Sequence, residues 1–587
     1  MRAASSARTR TESPCGESRQ WREAGKSLTV SVSESPPKGS RSSSIKRGAA
    51  VVLFYLALTV FFTWPLAPNL SERVIAHFDP PFSAWRLARV VHNMSSGGPL
   101  FDGEIFWPAR QTLAYSDAML AQAAFAWPLL AIGLTPLAVL NVLTLAGVAG
   151  SATAAYVLAR RLTGNTGGAV VAGLVFAFAP YRRDHLHHIE LQWALWTPLA
   201  LWAWHRALDN GRARDGLLCT AFVLLQLLSS IYYGLFLAVA MAVICPLTLM
   251  WRRGRLQRSA LGGLVAGAVI VAVAAAAYQR PYAVARELVG ERDLGETALY
   301  SAHVSNYLAA TPDNLLYGPL TKSFGDNETR LFPGITPIAF SIVALIPPVS
   351  PVALIYGAAM GVAWDASLGT SGRIYPLLRA WLPPFRAVRA PARFATIVLL
   401  GMSILTAIGL ARIARMSSGR FVILAAAATL ILEYGTTPLS TQRIPRERPR
   451  LYAWVSDQPR EVTLELPVPL PTFLPLHDAF YMYAQTWHWH PLANGYSGHY
   501  TKAYMDLLDA LIGFPDKRSS DAMALTGIQR VILHRELFRP GEYAPIIKAL
   551  DGHPDYQLVR IETDHMGEAR VYAFLPGFGR AHASKND

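Results

Sequence analysis

The sequence predicts a multi-pass α-helical membrane protein of about eleven transmembrane helices with a C-terminal soluble α/β domain. Three observations carry this. Hydrophobic residues make up 52% of the chain and charged residues only 16%, against roughly 25% charged in soluble domains. The apolar residues fall in long runs, and the first, residues 48–67, has about the twenty residues that cross a bilayer. From residue 437 onward charges are spread throughout and no run is long enough to cross. A net charge of +15 would suggest nucleic acid in a soluble protein. Here many Arg and Lys residues sit at the ends of apolar runs, where they orient a membrane protein, so no nucleic-acid partner is expected. Cys15, Cys219 and Cys245 show no CxxC or His spacing, so neither a disulfide nor a zinc site is read from them.

Residues 1–47 are rich in Ser, Arg, Pro and Gly and cannot bury a core, which predicts a disordered tail. Its basic residues place it in the cytoplasm. The first span then puts loop 68–117 outside. Two apolar segments follow, 118–134 and 137–158. If both crossed, Arg160, Arg161 and the later basic loops would all face outward, so the shorter one, broken by Pro128, is expected to be interfacial or re-entrant. Further spans are expected near 137–158, 167–180, 193–208, 216–229, 234–250, 260–278, 335–348, 352–368, 394–412 and 421–436. Asp365 and Glu433, near the outer ends of spans, are read as reaching the headgroups. In 437–587, segments 461–469, 530–535, 556–562 and 569–575 read as strands, with helices over 502–514 and from Pro545. An odd number of crossings places this domain outside.

The stretch 75–117 carries four carboxylates, Asp79, Asp102, Glu104 and Asp117, among aromatic and basic residues. Polar loops of this length in an apolar chain are functional or disordered, and this one is too aromatic for disorder. Asp79 precedes Pro80 and Pro81, which suits a helix start at the membrane surface. Alternatively, an apolar surface would raise its pKa and make it a general base. Asp102 and Glu104 flank Gly103 as turn residues or substrate contacts. In 181–192, Asp184, His185, His187, His188 and Glu190 could supply a metal ligand set or a second acid and base, or simply cap two spans, with Tyr181, Arg182, His185 and His188 read as substrate contacts. No tight ligand signature fixes a metal, and a divalent cation stays open. Residues 369–393 place Arg386, Arg389 and Arg393 on the outer face against the orientation rule. Their planar donors suit a lipid phosphate, or simply anionic headgroups.

FWPARQTLAYSD (106–117), ARRLTG (159–164), FAFAPYRRDHLHH (176–188), PPFRAVRAPARF (383–394) and NGYSGHY (494–500), with Asp79 just after the first span, resemble the GT-C superfamily of integral-membrane glycosyltransferases. The resemblance implies a catalytic carboxylate in the first external loop and a polyprenyl-phosphate-linked sugar as donor. Many members pair acidic residues there, whereas Asp79 is followed by Pro80. The leading expectation is an inverting sugar transfer on the external face, with Asp79 as base, Asp184 or a neighbouring histidine positioning the acceptor, and Arg386, Arg389 and Arg393 on the donor phosphate. Membrane lipids are the other expected partners. A flippase of a lipid-linked saccharide is the competing class, and a scaffold whose external domain binds a partner is a third.

Overall fold

The computed structural model describes residues 40–252, 256–416 and 418–577. The expected tail up to residue 39 and Arg253 and Arg255 lie outside the described residues, whereas 40–47, also assigned to that tail, belong to a helix. Residues Met1–Val51 and Val52–Asp587 form two units.

The chain is mostly helical. Its principal helices are α1 (Ser40–Phe62), α2 (Asp79–Ser96), α3 (Leu120–Ala131), α4 (Pro136–Thr163), α5 (Thr166–Phe178), α6 (Trp196–Asn210), α7 (Ala213–Ser229), α8 (Ile231–Arg252), α9 (Arg258–Val289), α10 (Ile335–Leu345), α11 (Pro351–Ser367), α12 (Ile374–Trp381), α13 (Ala395–Ile413) and α14 (Gly419–Glu433). Local sequence sets their limits. Thr135 caps α4 by accepting the Ala138 amide, Pro136 follows at the first turn, and Gly164 ends the helix at φ 67°.

A helix stands at each expected span. Four among the described residues are long and apolar enough to cross a membrane: Pro136–Thr163, Ile231–Arg252, Arg258–Val289 and Pro391–Ile413. The segment expected not to cross forms α3, whose 12 residues reach only about 18 Å against a hydrocarbon core of roughly 30 Å. Pro391–Ile413 is buried along nearly its whole length, while α9 turns Leu261, Val265, Val269 and Val273 outward. An apolar face of that kind suits lipid. Where α7 meets α9 the backbones touch: a Cβ on Gly216 would lie 2.6 Å from the Ala260 carbonyl, and one on Gly263 would lie 2.1 Å from that of Ala213.

Charges mark the two ends of this bundle. Asp209 accepts from both Arg161 and Arg252, which ties the C-terminal ends of α4, α6 and α8 together. At the opposite end Gln122 donates to the Ser229 carbonyl at 3.0 Å, and Asp117 accepts the Ile231 amide at 3.1 Å. Asp365 and Glu433 each bond to the amides of a helix start. Asp365 accepts the amides of Arg373 and Ile374 at the start of α12. Glu433, 4% exposed, accepts the Thr336 amide and the Tyr317 hydroxyl at the start of α10. Helix starts leave such amides unpaired, and a carboxylate satisfies them.

Strand β1 (Arg73–Ile75) pairs antiparallel with β2 (Thr441–Arg443), so the first loop is stitched to the start of the C-terminal region. That region holds a mixed four-stranded sheet of β3 (Thr463–Leu466), β4 (Arg530–His534), β5 (Tyr556–Asp564) and β6 (Gly567–Phe574), in the order β3-β4-β6-β5. β3 and β4 run parallel and the other pairs antiparallel. Its core is continuous with the loop: Trp85 and Leu87 of α2 pack in one cluster with Leu464, Met482 and Val531. Trp85 also donates to Gln485 at 2.7 Å, and Gln485 to the Glu104 carbonyl at 3.0 Å.

Candidate active site

The first loop is held under backbone strain. Glu104, Phe106, Gln111 and Met119 take φ between 52° and 55°, left-handed values that cost non-glycine residues about 1–3 kcal/mol each and cluster at functional sites. The segment 492–494 holds it there, through the Leu492 amide on the Glu104 carbonyl and the Phe106 amide on that of Asn494.

Asp79 opens α2, where the helix dipole favours its charge, and is 5% exposed. Its two oxygens have separate surroundings. Oδ1 accepts the Tyr496 hydroxyl at 2.7 Å. Oδ2 faces three imidazoles: His77 Nδ1 at 3.3 Å, His188 Nδ1 at 3.3 Å and His187 Nε2 at 4.0 Å. Burial opposes ionisation of Asp79, but His188, His77 and His187 outweigh it and hold the carboxyl well below the usual range. This corrects the expectation of a raised pKa: Asp79 is buried as expected, but three rings from two separate segments converge on one oxygen, which no local pattern signals. Burial, and then His77, pushes His187 down to about 3, and burial, and then His187, holds His188 well below the usual imidazole value, so both rings are neutral at pH 7.

Arg393 Nη2 lies 3.5 Å from His188 Nε2. A guanidinium only donates, so Nε2 is the acceptor and Nδ1 carries the proton toward Asp79. His188 is thus a positioning donor between Arg393 and Asp79. Arg393 itself is held by Glu328 through Nε and Nη2, at 3.0 and 2.5 Å.

These groups line one cavity of ≈ 910 Å³, together with Arg86, Asp117, Glu190, Arg292, Glu296, Asp326 and Arg389. Arg86, 2% exposed, donates to the Asp117 carbonyl at 2.8 Å and lies 3.4 Å from Glu190. Burial, and then Glu190, raises the Asp117 carboxyl to about 6. Arg389 stacks over Tyr300 at 4.9 Å and has only a loose ion pair, 3.8 Å to Glu296. A second cleft of ≈ 1020 Å³, lined by Gln442, Leu476, Phe480 and Met566, shares His77 and Phe78 with the first.

No family model and no curated protein matches this chain. Solved structures similar to it include the Archaeoglobus fulgidus oligosaccharyltransferase in complex with Zn and sulfate, at 12% identity and TM-score 0.44, covering 89% of this chain and 73% of that one. ArnT from Cupriavidus metallidurans in the apo state is also 12% identical, at TM-score 0.48, covering 91% of this chain and 98% of that one. Neither likeness carries a family, an activity or a ligand to this chain.

The cavity brings together Asp79, Asp117, His187, His188, Glu190, Arg389 and Arg393 of the residues singled out in the sequence. The others lie elsewhere. Asp102 accepts from Arg110 and the Gln111 amide, and Glu104 pairs with Arg89 and Arg460. These pairs brace the loop. Buried Arg182 donates to the carbonyls of Leu191 and Gln192, fixing the turn behind the site. Tyr181 packs on His185, which spans the Tyr181 carbonyl and Glu328. Asp184, raised to about 6 by burial, pairs with Arg330 at 3.4 Å and borders a smaller cleft. Arg386 lies outside the cavity, 3.9 Å from Glu291. The site also includes His77, Glu328 and Tyr496, to which sequence reasoning gave no individual role. His77 stood in the acidic first-loop stretch and Tyr496 in the quoted NGYSGHY motif; Glu328 carried no local signal.

His77, Asp79 and His187 place one ligand atom each within 4.8 Å of one another. Ligands at about 2.0–2.1 Å around a tetrahedral cation lie roughly 3.3 Å apart, the spacing of His77 Nδ1 from Asp79 Oδ2. A neutral His187 imidazole and an ionised carboxylate are the protonation states a cation requires. The donor set fits a divalent metal.

Proposed function

We propose that this protein is a membrane glycosyltransferase that moves a sugar from a polyprenyl-phosphate-type donor to an acceptor hydroxyl. In this reading the helices make eleven crossings, the N-terminus is cytoplasmic, and the first loop and residues 437–587 face outside. The observation that carries it is the meeting of Asp79, its histidines and Arg389 in one cavity walled by Tyr232, Tyr300 and Tyr496. Aromatic faces suit a sugar ring, and a guanidinium with one loose partner suits a phosphate. Arg389 takes the donor phosphate, because Arg393 is already occupied by Glu328.

The cavity holds six carboxylates, Asp79, Asp117, Glu190, Glu296, Asp326 and Glu328, against four guanidinium groups, Arg86, Arg292, Arg389 and Arg393. Such a lining repels a phosphate unless further positive charge is present. A divalent cation held by His77, Asp79 and His187 would supply that charge beside the leaving group.

In the transfer the acceptor oxygen bonds to the anomeric carbon, the carbon–oxygen bond to phosphate breaks, and its electron pair leaves on the lipid phosphate. The acceptor's proton must reach a carboxylate. Asp79 is too acidic for this, while Asp117, at about 6, has the basicity that proton transfer near neutral pH needs. Asp79 holds and orients. Transfer is therefore expected to rise with pH through about 6 and level off above it. Asp117→Asn removes that limb, whereas Asp184→Asn, outside the cavity, leaves it.

The direct test incubates purified full-length protein in lipid nanodiscs with radiolabelled polyprenyl-phosphate sugars and a panel of hydroxyl acceptors. Label is expected to move to an acceptor, to stop on chelation with EDTA and to resume with Mn²⁺. Absence of transfer from every donor overturns the activity, and transfer that survives EDTA overturns the cation.

A further inference from the structure

Tyr496 enters the site from a part of the chain 417 residues away from Asp79. The segment that bears it is fastened at both ends. Asn494 exchanges hydrogen bonds with the backbone of Glu465, accepting its amide at 2.7 Å and donating to its carbonyl at 2.9 Å. The Gly498 carbonyl accepts from Arg292 at 2.6 Å. Between them the Tyr496 amide meets Met482 Sδ at 3.1 Å, and the ring stands edge-on to Phe78 and Phe82, at 5.2 and 4.9 Å. A ring clamped on its backbone and its faces cannot carry its hydroxyl elsewhere.

We propose that Tyr496 is a positioning residue that gives the two oxygens of Asp79 different tasks: its hydroxyl occupies Oδ1, so that a divalent cation held with His77 and His187 meets Oδ2 alone. The inference rests on the cation of the proposed function and deepens it. Two observations converge. The Tyr496 hydroxyl touches only Oδ1, at 2.7 Å, and every imidazole of the cluster faces Oδ2. A carboxylate with both oxygens free can rotate or chelate through both, whereas one pinned at Oδ1 presents a single oxygen in a fixed direction. Partners of this kind around a ligand set its orientation, and losing one typically costs about 10–100-fold in metal affinity. The C-terminal region thereby completes a site whose other ligands come from residues 77–79 and His187.

Cation binding is read on the full chain in detergent, by Co²⁺ absorption in the visible range and by Mn²⁺ calorimetry, so no sugar substrate is needed. Wild type is expected to bind either ion, and Tyr496→Phe, which keeps the ring and its packing, to bind about 10–100-fold more weakly with an altered Co²⁺ spectrum. Phe82→Leu loosens the clamp but keeps the hydroxyl, and a smaller loss of the same kind is expected. Wild-type affinity and spectrum in Tyr496→Phe overturn the proposal while leaving the cation site standing. Failure of the wild type to bind Co²⁺ and Mn²⁺ overturns the cation site itself, and this inference with it.

Discussion

Asp79→Asn is expected to lower sugar transfer by about 10²–10³-fold, the usual cost of removing one electrostatic group from a preorganised site, and to weaken Mn²⁺ binding in the same protein. The substitution keeps the shape of the side chain and an acceptor for the Tyr496 hydroxyl, so the local packing survives. It removes a buried charge from among rings that burial keeps neutral. Because the folded protein holds this carboxyl below its ordinary range, the charge stabilises the fold at neutral pH, and a modest fall in melting temperature is expected alongside the loss of activity. Equal transfer by the two proteins removes Asp79 from the chemistry.

Glu328→Ala should have the opposite profile. Glu328 grips Arg393 at two points and also faces His185 at 3.3 Å, with side-chain exposures of 13% for Glu328 and 8% for Arg393. Removing the carboxylate leaves a buried guanidinium without its partner, which costs about 3–5 kcal/mol. Adding Arg393→Leu should recover much of that loss, and thermal unfolding of the single and double variants reads it directly. The pH dependence has a definite sign. Burial opposes the charged form, but Arg393 and His185 hold the Glu328 carboxyl well below its ordinary value. Its stabilisation is therefore complete above about 4.3 and is lost as pH falls from there toward the folded-state value. Glu328→Ala should lack that component of the acid transition. A single variant as stable as wild type would show that Arg393 is solvated or paired elsewhere.

The two substitutions separate holding from chemistry at one site. Glu328 lines the cavity with Asp326 and Asn327, yet its bonds go to Arg393 and His185, so its first consequence is mechanical. Arg389, four residues before Arg393 on the same loop, has only a loose ion pair to Glu296 at 3.8 Å and keeps its guanidinium available. Neighbouring arginines on one loop, read together as phosphate ligands from the sequence, thus divide into a structural one and an available one.

Periodicity and composition made the helices legible, because a segment of twenty apolar residues has few ways to satisfy its backbone outside a helix. The strands of the C-terminal sheet were legible for a related reason: 530–535 and 569–575 are β-branched and aromatic runs bounded by turn residues. Asp79 was visible because a lone carboxylate before two prolines at the end of a span is locally unusual. Its charge state was not. That depends on His77, His187, His188 and Tyr496, and only the first lies near it in the chain. Arg386, Asp102 and Glu104 show the reverse error, since their chemistry suits a site but their partners are local braces.

The sequence by itself determined that this chain builds apolar helices with a smaller strand-bearing C-terminal region, and that its first loop carries an exceptional carboxylate. Those properties follow from short-range patterning, which each segment expresses alone. Only the tertiary structure decided which oxygen of Asp79 faces the histidines, which arginine is spent on Glu328, and that Tyr496 reaches the site at all. The physical reason is that hydrogen bonds and ion pairs fall off within a few ångströms, so their partners are set by where the folded backbone brings distant residues, and no local pattern encodes that.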